Sequence, residues 1–410
     1  MGIAAFLRLY RLADTGQNLY YAAGVRSMLD SWHNFFFVAF DPGGALAIDK
    51  PPLGFWLQAA SAKALGFHWW TLALPQAVAG TVAAPVLYVI VRGRFGRTVA
   101  PIAALALALT PASVASARNN SLDTLTMLLM LVASAAALRA LHDDRFRWLA
   151  ITAVACGLAF NTKMFAAFVP LPAFAVAYTV AHRGTLGARR KALTGFGALL
   201  VAVSLSWVVV VGVTPASARP VLYNGYGNSI WALTFRFNGI NRIIGTPPQS
   251  QPRSPIDTSE GQSAAAEPPS RTPWRLFVGS LGGQIGWLLL AAIAGGVWLL
   301  RRSRRAPEGI LWATWFASAL VVFTVSSDLK PQYLEAMAAP TAVCASVGLV
   351  ALVDSARRHP IPAAIGAVVL CAYSSYLLLL SPESRWWTVV VIVAALVSAA
   401  TIAISQALRR

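Results

Sequence analysis

Long apolar segments alternate with short polar ones along the whole chain. They cover residues 68–91, 98–117, 121–138, 147–162, 164–181, 193–213, 283–300, 309–325, 335–353, 361–380 and 386–407. Each reaches or approaches the about 20 residues that a helix needs to cross a bilayer. Residues 1–7 are also apolar but short, and they lack the cationic start and cleavage site of a signal peptide. We expect them to end a truncated first helix, which makes about twelve spans.

Composition supports an all-α polytopic membrane protein with one transmembrane domain over residues 1–410. Hydrophobic residues make up 57% of the chain and charged residues 12%, and the mean hydropathy is +0.61. The net charge of +18 could suggest nucleic acid, but the basic residues form no single face or tail. The lipid bilayer is therefore the expected partner, and nucleic acid is not.

Every second connection between apolar segments is basic. These connections hold more than half of the 33 Lys and Arg residues, at positions 92–97, 139–147, 183–191, 301–305, 357–358 and 409–410. By the positive-inside rule they lie in the cytoplasm, together with both termini. The other connections are then extracytoplasmic and hold nearly all the unusual polar residues. We expect a multi-pass protein of a bacterial plasma membrane with its chemistry facing outward.

Two of the extracytoplasmic connections are long. The first, over residues 13–67, is expected to be structured, with an interfacial helix at 18–29 and an aromatic patch at 32–37. Another helix should start at its paired prolines, because proline favours the first helical turn. The second long loop covers 214–282, and its segment 246–273, rich in Pro, Ser, Gln and Ala, is predicted to be disordered.

A polar segment within the first loop closes with an acid, a cation and two prolines, Asp49-Lys50-Pro51-Pro52. This pattern has two interpretations. The charges could form an ion pair that only stabilises the loop. Alternatively, Lys50 binds a phosphate at the membrane surface while a nearby carboxylate takes up a proton.

Three further acid or cation motifs lie on the same predicted side. Arg118 and Asp123 flank the start of an apolar segment, where an aspartate also simply favours the positive helix end. Lys163 sits between two segments and could be a snorkelling interfacial lysine. Lys330 and Tyr333 lie in the stretch 328–333 at another segment start. Several such motifs on one side favour a common site.

These pieces resemble the bacterial membrane glycosyltransferases of the protein O-mannosyltransferase and aminoarabinose-transferase type, a glycosyltransferase family 39-like group with the GT-C architecture. The matching residues are Tyr20-Tyr21-Ala22, Asp49-Lys50-Pro51-Pro52-Leu53, Arg118 with Asp123, Thr162-Lys163, and Lys330 with Tyr333 and Pro340. The resemblance implies a polyprenyl-phosphate sugar donor. It also implies an extracytoplasmic acceptor, which could be a lipid, a cell-envelope polymer or a protein.

One departure from the family affects the choice of base. Family members usually have an acidic pair just before the Tyr-Tyr-Ala stretch, and its aspartate is assigned as the catalytic carboxylate. Gln17 and Asn18 stand in those places here, and an amide is no base at neutral pH. The role then falls to another aspartate of the outer loops, or the chain is a catalytically inactive relative.

The expected mechanism is a single displacement that inverts the anomeric carbon. Lys50, helped by Arg118 or Lys330, stabilises the donor phosphate as it leaves. A carboxylate takes the acceptor proton; the candidates are Asp41 and Asp49, which lead, and Asp123. Substrate contacts are expected from Tyr20, Tyr21, Lys163 and Tyr333. No cofactor or metal is required by these residues, and a divalent ion on a carboxylate stays open.

A transporter or lipid flippase is the rival interpretation, with the same outer cluster serving as a substrate gate. Transporters usually place their ionisable residues near the bilayer midplane, on broken helices. This chain has its charged residues at the predicted outer ends of the segments. That distribution favours the enzyme.

Overall fold

The structure is a computed structural model that describes residues 1–16, 18–143, 145–181, 184–222, 227–245, 272–302, 306–327 and 329–379. Within these ranges the regular structure is helical, with two isolated β-bridges. The α-helices are α1 (Gly2–Leu9), α2 (Leu19–Met28), α3 (Trp32–Phe37), α4 (Leu53–Leu65), α5 (Trp69–Leu109), α6 (Pro111–Ala117), α7 (Asp123–Ala140), α8 (Phe146–Lys163), α9 (Leu171–Ala181), α10 (Leu186–Val213), α11 (Asn241–Ile244), α12 (Gly279–Leu281), α13 (Trp287–Arg302), α14 (Pro307–Val325), α15 (Glu335–Ala356) and α16 (Pro360–Leu379).

Shorter helical pieces join these elements. Turns of 3₁₀-helix cover Leu12–Asp14, Met164–Phe168, Ala216–Ala218 and Pro331–Leu334, and π-helices cover Ala232–Ile240 and Gly282–Gly286. The predicted all-α class is confirmed.

Eight helical stretches in the described part of the chain are long and apolar enough to cross a membrane. They are Trp69–Leu109, Asp123–Ala140, Phe146–Phe168, Leu186–Val213, Gly279–Arg302, Pro307–Val325, Pro331–Ala356 and Pro360–Leu377. The chain is therefore a multi-pass membrane protein. The exact number of spans stays a prediction, because the expected last segment, 386–407, lies outside the described residues.

Helix α5 covers nearly all of the predicted segment 68–91 and the first part of the segment 98–117, which continues in α6. Gly96, with φ 83° and ψ −172°, breaks its helical geometry in the middle of the basic connection. Only glycine adopts that backbone conformation readily. The break separates two apolar halves where the sequence places a loop.

The first loop is structured, and its predicted helices form. Asn18 caps α2 by accepting a hydrogen bond from the backbone N–H of Tyr21 at 3.1 Å, as asparagine does at helix starts. Helix α4 begins directly after the proline pair, at Leu53. The predicted disorder of 246–273 stays a prediction, because residues 246–271 lie outside the described part of the chain.

Helices α13 and α15 pack in close contact through two glycines. A Cβ atom on Gly295 would lie 1.9 Å from the backbone oxygen of Cys344, and one on Gly348 would lie 2.2 Å from that of Ala291. Small residues are what allow membrane helices to approach this closely. This contact holds α15, whose first turn belongs to the candidate site.

The polar residues divide between the two ends of the helix bundle. At one end, the start of α7, the end of α8 and the start of α15 meet the first loop; we call this the site end. At the other, Glu308 accepts hydrogen bonds from Arg94 at 2.9 Å and shares one with His142 at 2.6 Å. The expected segregation of basic connections from the polar motifs is thus present in the fold.

Candidate functional site

Lys50 is a buried lysine at the base of a short hairpin. An antiparallel bridge pairs Ala39 with Ala47, and the chain leaves this hairpin at Asp49. The Lys50 side chain forms an ion pair with the Asp49 carboxylate, and the whole residue is only 7% exposed. Pro51 then fixes the backbone, which directs both charges toward the helix bundle rather than into solvent.

Asn238, from the second long loop, completes the environment of Lys50. The Lys50 Nζ donates to Asn238 Oδ1 at 2.9 Å, and Asn238 Nδ2 donates to the backbone oxygen of Asp49 at 2.8 Å. Asn238 lies in the π-helix Ala232–Ile240. Such segments are rare and often occur at functional sites. The second loop therefore contributes directly to the site.

A second cation, Arg242, approaches the same carboxylate. Its guanidinium nitrogen lies 3.9 Å from Asp49 Oδ2. The Phe237 ring lies between the two cations, with its centroid 5.3 Å from the Arg242 guanidinium and 5.8 Å from Lys50 Nζ. Sequence reasoning missed Asn238 and Arg242. The available signal was the mixing of aromatic and polar residues in the stretch 235–242.

The electrostatics of this group keep both Asp49 and Lys50 charged near neutral pH. Burial lowers the pKa of Lys50 to about 8, and the repulsion by Arg242 adds to this while Asp49 offsets part of it. For Asp49, burial alone would raise the pKa. The charges of Lys50 and Arg242 and the hydrogen bond from Lys50 outweigh burial, so that its pKa falls below the usual range.

A second lysine–aspartate pair joins helices α7 and α8. The Lys163 ammonium contacts the Asp123 carboxylate, and these side chains are 13% and 5% exposed. Asp123 is the first residue of α7, where the positive end of the helix favours a carboxylate. Helix α8 ends at Lys163 because Met164 follows with φ 47°, a conformation that non-glycine residues seldom adopt.

Two tyrosines connect the pairs. The ring of Tyr333 lies 4.1 Å from Lys163 Nζ, in a cation–π contact. Burial, followed by the negative charge of Asp49 and then by Tyr333 and Asp123, raises the pKa of Tyr21 well above its ordinary value. Tyr21 is therefore close to both carboxylates. The structure brings together Asp49, Lys50, Asp123, Lys163, Tyr21 and Tyr333.

Asp41 lies elsewhere, at the tip of the hairpin. Its carboxylate accepts the backbone N–H groups of Leu46 at 2.8 Å and Ala45 at 3.2 Å. Slight burial raises its pKa, but these hydrogen bonds outweigh it and lower the pKa overall. Tyr20 belongs to the same region, since it stacks on Phe40 at 4.9 Å.

Arg118 is engaged with the end of α1. Its NH1 donates to the backbone oxygens of Leu7 at 3.0 Å and Tyr10 at 2.7 Å, and its NH2 donates to that of Arg11 at 3.1 Å. These are the carbonyls that a helix C-terminus leaves without intrahelical donors. The structure thus places Arg118 at a helix end, in a capping role.

Lys330 lies at the rim of the site. It is exposed and close enough to Lys163 for their charges to interact. Asp328, in the same sequence motif, lies outside the described residues, as does Gln17. Asn18, beside Gln17, accepts a hydrogen bond through its backbone oxygen from Asn120 Nδ2 at 3.0 Å.

Within the described residues, no group of three or more His, Cys, Asp and Glu side chains could hold a metal ion.

Comparison with known proteins relates part of the chain to a described family. Residues 49–207 match the model of a family described as dolichyl-phosphate-mannose-protein mannosyltransferase. Two proteins of Bacillus subtilis (strain 168), YkcB and YycA, are similar to the chain and are provisionally named mannosyltransferases. YkcB is 32% identical over 441 residues and YycA 31% over 422. Residues 49–207 thus resemble a domain of this mannosyltransferase family.

The two Bacillus relatives match the chain over most of its own length. The alignments cover 87% and 84% of it, but they span only 62% of each Bacillus relative. The family segment contains both lysine–aspartate pairs, from Asp49 to Lys163. Asn238, Arg242 and Tyr333 fall beyond that segment.

Solved structures show the fold. ArnT from Cupriavidus metallidurans is 20% identical, with a TM-score of 0.64 over 99% of this chain and 70% of that one. The oligosaccharyltransferase of Archaeoglobus fulgidus is 16% identical, with a TM-score of 0.56 over 96% of this chain and 54% of that one. The chain thus has the GT-C fold, as the resemblance seen in the sequence implies.

Proposed function

We propose that this chain transfers a sugar from a polyprenyl-phosphate donor to an acceptor outside the cytoplasm. The observation that carries the proposal is the buried cluster of two lysine–aspartate pairs with Arg242 beside it. Two relatives bear mannosyltransferase names, and one structure of the same fold is that of ArnT bound to undecaprenyl phosphate. The charged cluster, the fold and the lipid bound in that structure all agree with a polyprenyl-phosphate donor.

The grouping of positive charges in the cluster supports an anionic substrate. The cations Lys50, Lys163, Arg242 and Lys330 interact with one another and with the carboxylates of Asp49 and Asp123. These four cations lie near one another in the described part of the site, and like charges brought close together repel. A phosphate group would offset this repulsion with charge-assisted hydrogen bonds.

Lys50 and Arg242 are the proposed phosphate ligands. Both cations lie beside the carboxylate of Asp49, Lys50 in an ion pair and Arg242 at 3.9 Å. As the sugar leaves, negative charge on the phosphate grows, and fixed cations in a buried site stabilise it more strongly than water does. Asn238 holds Lys50 in place for this task.

Asp123 is the proposed base. Asp49 lies between two cations and has a lowered pKa, which makes it a poor proton acceptor. The oxygens of Asp41 accept hydrogen bonds from two backbone N–H groups. Asp123 pairs with a single cation, Lys163, beside Tyr333 and Tyr21. These contacts favour Asp123 over the two other candidates.

The proposed reaction is one displacement at the anomeric carbon. The acceptor oxygen attacks C1 from the face opposite the phosphate, and its proton passes to Asp123. The bond between C1 and the phosphate oxygen breaks with its electron pair on that oxygen, which releases polyprenyl phosphate. The configuration at C1 is inverted. The site end of the bundle, where this occurs, faces away from the cytoplasm by the charge distribution of the loops.

Labelled sugar transfer tests this function. The full chain in proteoliposomes receives undecaprenyl-phosphate-linked mannose, glucose, N-acetylglucosamine or arabinose, together with cell-envelope fractions as acceptors. Label should move from one donor into a lipid, polymer or protein fraction, with inverted linkage. Donor movement across the vesicle membrane without transfer would instead identify a transporter. If neither sugar transfer nor donor movement is detected, the chain is a catalytically inactive relative.

A further inference from the structure

An apolar groove lies between three helices that are long enough to cross a membrane, α13, α15 and α16. Its cavity volume is about 420 Å³, which falls within the about 300–1,000 Å³ of sites that bind small molecules. Its lining is aliphatic apart from Trp298 and Ser355, and the Ser355 hydroxyl group donates to the backbone oxygen of Leu352 at 2.8 Å. The groove therefore suits a hydrocarbon chain rather than water, because apolar cavities stay dry.

The groove lies toward the end of the bundle opposite the site end. Helix α15 begins at the site end and finishes at Ala356. Helix α13 runs in the same direction, because one crossing helix, α14, separates the two in sequence, and it finishes at Arg302. Trp298 on α13 and Ser355 on α15 line the groove close to these finishing ends. The groove is therefore remote from the lysine–aspartate pairs.

The groove also opens toward the lipid phase. Ala294, on its α13 wall, is exposed, and Val369, on its α16 wall, is 52% exposed. Among the described residues, only 17% of the span Pro360–Leu377 is buried. A lipid chain can therefore enter the groove directly from the surrounding bilayer.

Exposed arginines lie at the end of the groove, and they are Arg301, Arg302, Arg357 and Arg358. The Arg302 guanidinium lies 4.6 Å from the ring centroid of Trp298, so that a groove residue holds this cation by a cation–π contact. Arg301 comes one helical turn after Trp298 and lies on the same face of α13. Arg357 and Arg358 follow the end of α15. Across the described residues, no carboxylate pairs with any of these arginines.

Another stacked arginine at the same end of the bundle differs from Arg302. The guanidinium of Arg147 lies 4.8 Å from the ring centroid of Trp148, but it also pairs with the Asp143 carboxylate at 3.4 Å. The protein itself therefore supplies the anion that Arg147 meets. The preference of cations for helix C-terminal ends and for cytoplasmic loops explains the charge of Arg302. It does not explain why that charge is held on the wall of an apolar groove.

We propose that this groove binds an anionic phospholipid of the cytoplasmic leaflet. One acyl chain lies in the groove between α13, α15 and α16, and the lipid phosphate lies against Arg302 and the arginines beside it. Basic pockets between membrane helices bind anionic headgroups in this manner, and a guanidinium group suits phosphate oxygens. No bond is made or broken, and the site is separate from the one proposed for the sugar donor. The inference does not depend on sugar transfer.

Lipid selectivity tests the charged part of this site. Native mass spectrometry of the purified full chain compares palmitoyl-oleoyl-phosphatidylglycerol with phosphatidylcholine of the same acyl chains. We expect wild type to bind phosphatidylglycerol about tenfold more tightly and Arg302→Gln to lose about fivefold of this preference, the order that one cation near a membrane surface contributes. Arg147→Gln is the matched control and should keep the preference. Equal binding of both lipids by wild type, or equal preference in the two variants, would overturn the proposal.

Filling the groove tests its apolar part. Ala294→Phe adds a ring on the α13 wall and leaves the arginines in place, so phosphatidylglycerol binding should fall at least to the level of Arg302→Gln. Ile293→Phe is the control, because Ile293 is exposed beside Ala294 but does not line the groove. Unchanged binding in Ala294→Phe would place the lipid elsewhere and contradict the assignment.

Photo-crosslinking in vesicles identifies what occupies the groove. Phosphatidylglycerol with a diazirine in one acyl chain should label the wild-type peptides that contain Ala294 and Leu370, two lining residues. The label there should decrease in Ala294→Phe. Absence of label from these peptides, which is expected if residues 386–407 or a second copy of the chain cover the groove, would overturn the proposal. Label spread evenly over all spanning helices would overturn it as well.

Discussion

The ammonium group of Lys50 hydrogen bonds to the side chain of Asn238, 188 positions later in the chain, at 2.9 Å. This bond fastens the first loop to the π-helix of the second. It also leaves the cation buried next to Asp49 and Arg242 rather than free in solvent. The proposed phosphate site is therefore assembled from two loops that the sequence separates widely.

Replacing Asn238 should weaken donor binding. Without its amide, Asn238→Ala leaves Lys50 with one hydrogen bond fewer, and a bond to a charged group contributes about 1.5–3 kcal/mol. We expect the donor KM to rise about tenfold or more, with a smaller change in kcat. Asn119→Ala is the matched control, since Asn119 donates to the backbone oxygen of Gly16 and lies apart from the cations. Equal kinetics for both variants would contradict the role of Asn238.

The pH dependence of donor use should report Lys50. Its pKa of about 8 means that the ammonium form persists below that value and is lost as pH rises through it. We expect kcat/KM for the donor to fall above about pH 8, since this ratio reports the free enzyme. Lys50→Arg stays charged across this range. The kcat/KM that this variant retains should therefore not change with pH over the same range. A decline at the same pH in Lys50→Arg would assign the titration to another group.

Replacing Asp123 and replacing Asp49 should affect different kinetic parameters. Asp123→Asn removes the proposed base, and general-base catalysis contributes about 10²–10⁴-fold; kcat should fall by that order with donor binding retained. Asp49→Asn removes a partner of Lys50 and Arg242, so its main effect should be on the donor KM. Rapid-mix transfer and donor-binding assays on both variants separate the two steps. The opposite pattern would make Asp49 the base.

Much of this architecture could be predicted from the sequence, because apolar periodicity and loop charge act locally. Asp49, Lys50, Asp123 and Lys163 could also be named as candidates, because packing gives no reason for polar residues there, but the pairing of Lys163 with Asp123 was not predicted. Asn238 could not be found in this way, since its partner is set by tertiary contact across 188 positions. In sequence, Asn238 looks like any other polar residue of a loop.

Two other predicted site residues make contacts that the sequence does not reveal. Asp41 was a leading base, yet its oxygens close a turn by accepting backbone N–H groups, a use of aspartate that resembles any exposed loop acid in sequence. Arg118 was expected to help bind phosphate, and the structure places it on the carbonyls at the end of α1. Neither role as a site residue has been tested, so both stay predictions.

The contact between α13 and α15 gives a prediction on stability. Gly295→Ala would place a methyl group 1.9 Å from the backbone oxygen of Cys344, and backbone cannot move aside as a side chain can. Overpacking of this kind costs about 1–3 kcal/mol or more, so the melting temperature in detergent should drop. Gly296→Ala is the adjacent control, because its nearest neighbour, in Phe316, is 3.7 Å away. Equal melting temperatures for Gly295→Ala and Gly296→Ala would contradict the close packing of α13 against α15.

Binding of a phosphate lipid tests the central claim most directly. The dissociation constants of undecaprenyl phosphate and of uncharged undecaprenol are measured for wild type and for Lys50→Met, which keeps the stem and removes the charge. We predict that wild type prefers the phosphate lipid about a hundredfold, equivalent to about 2.7 kcal/mol, and that Lys50→Met loses most of this preference. An unchanged preference in Lys50→Met would contradict the assignment of Lys50 as the phosphate ligand.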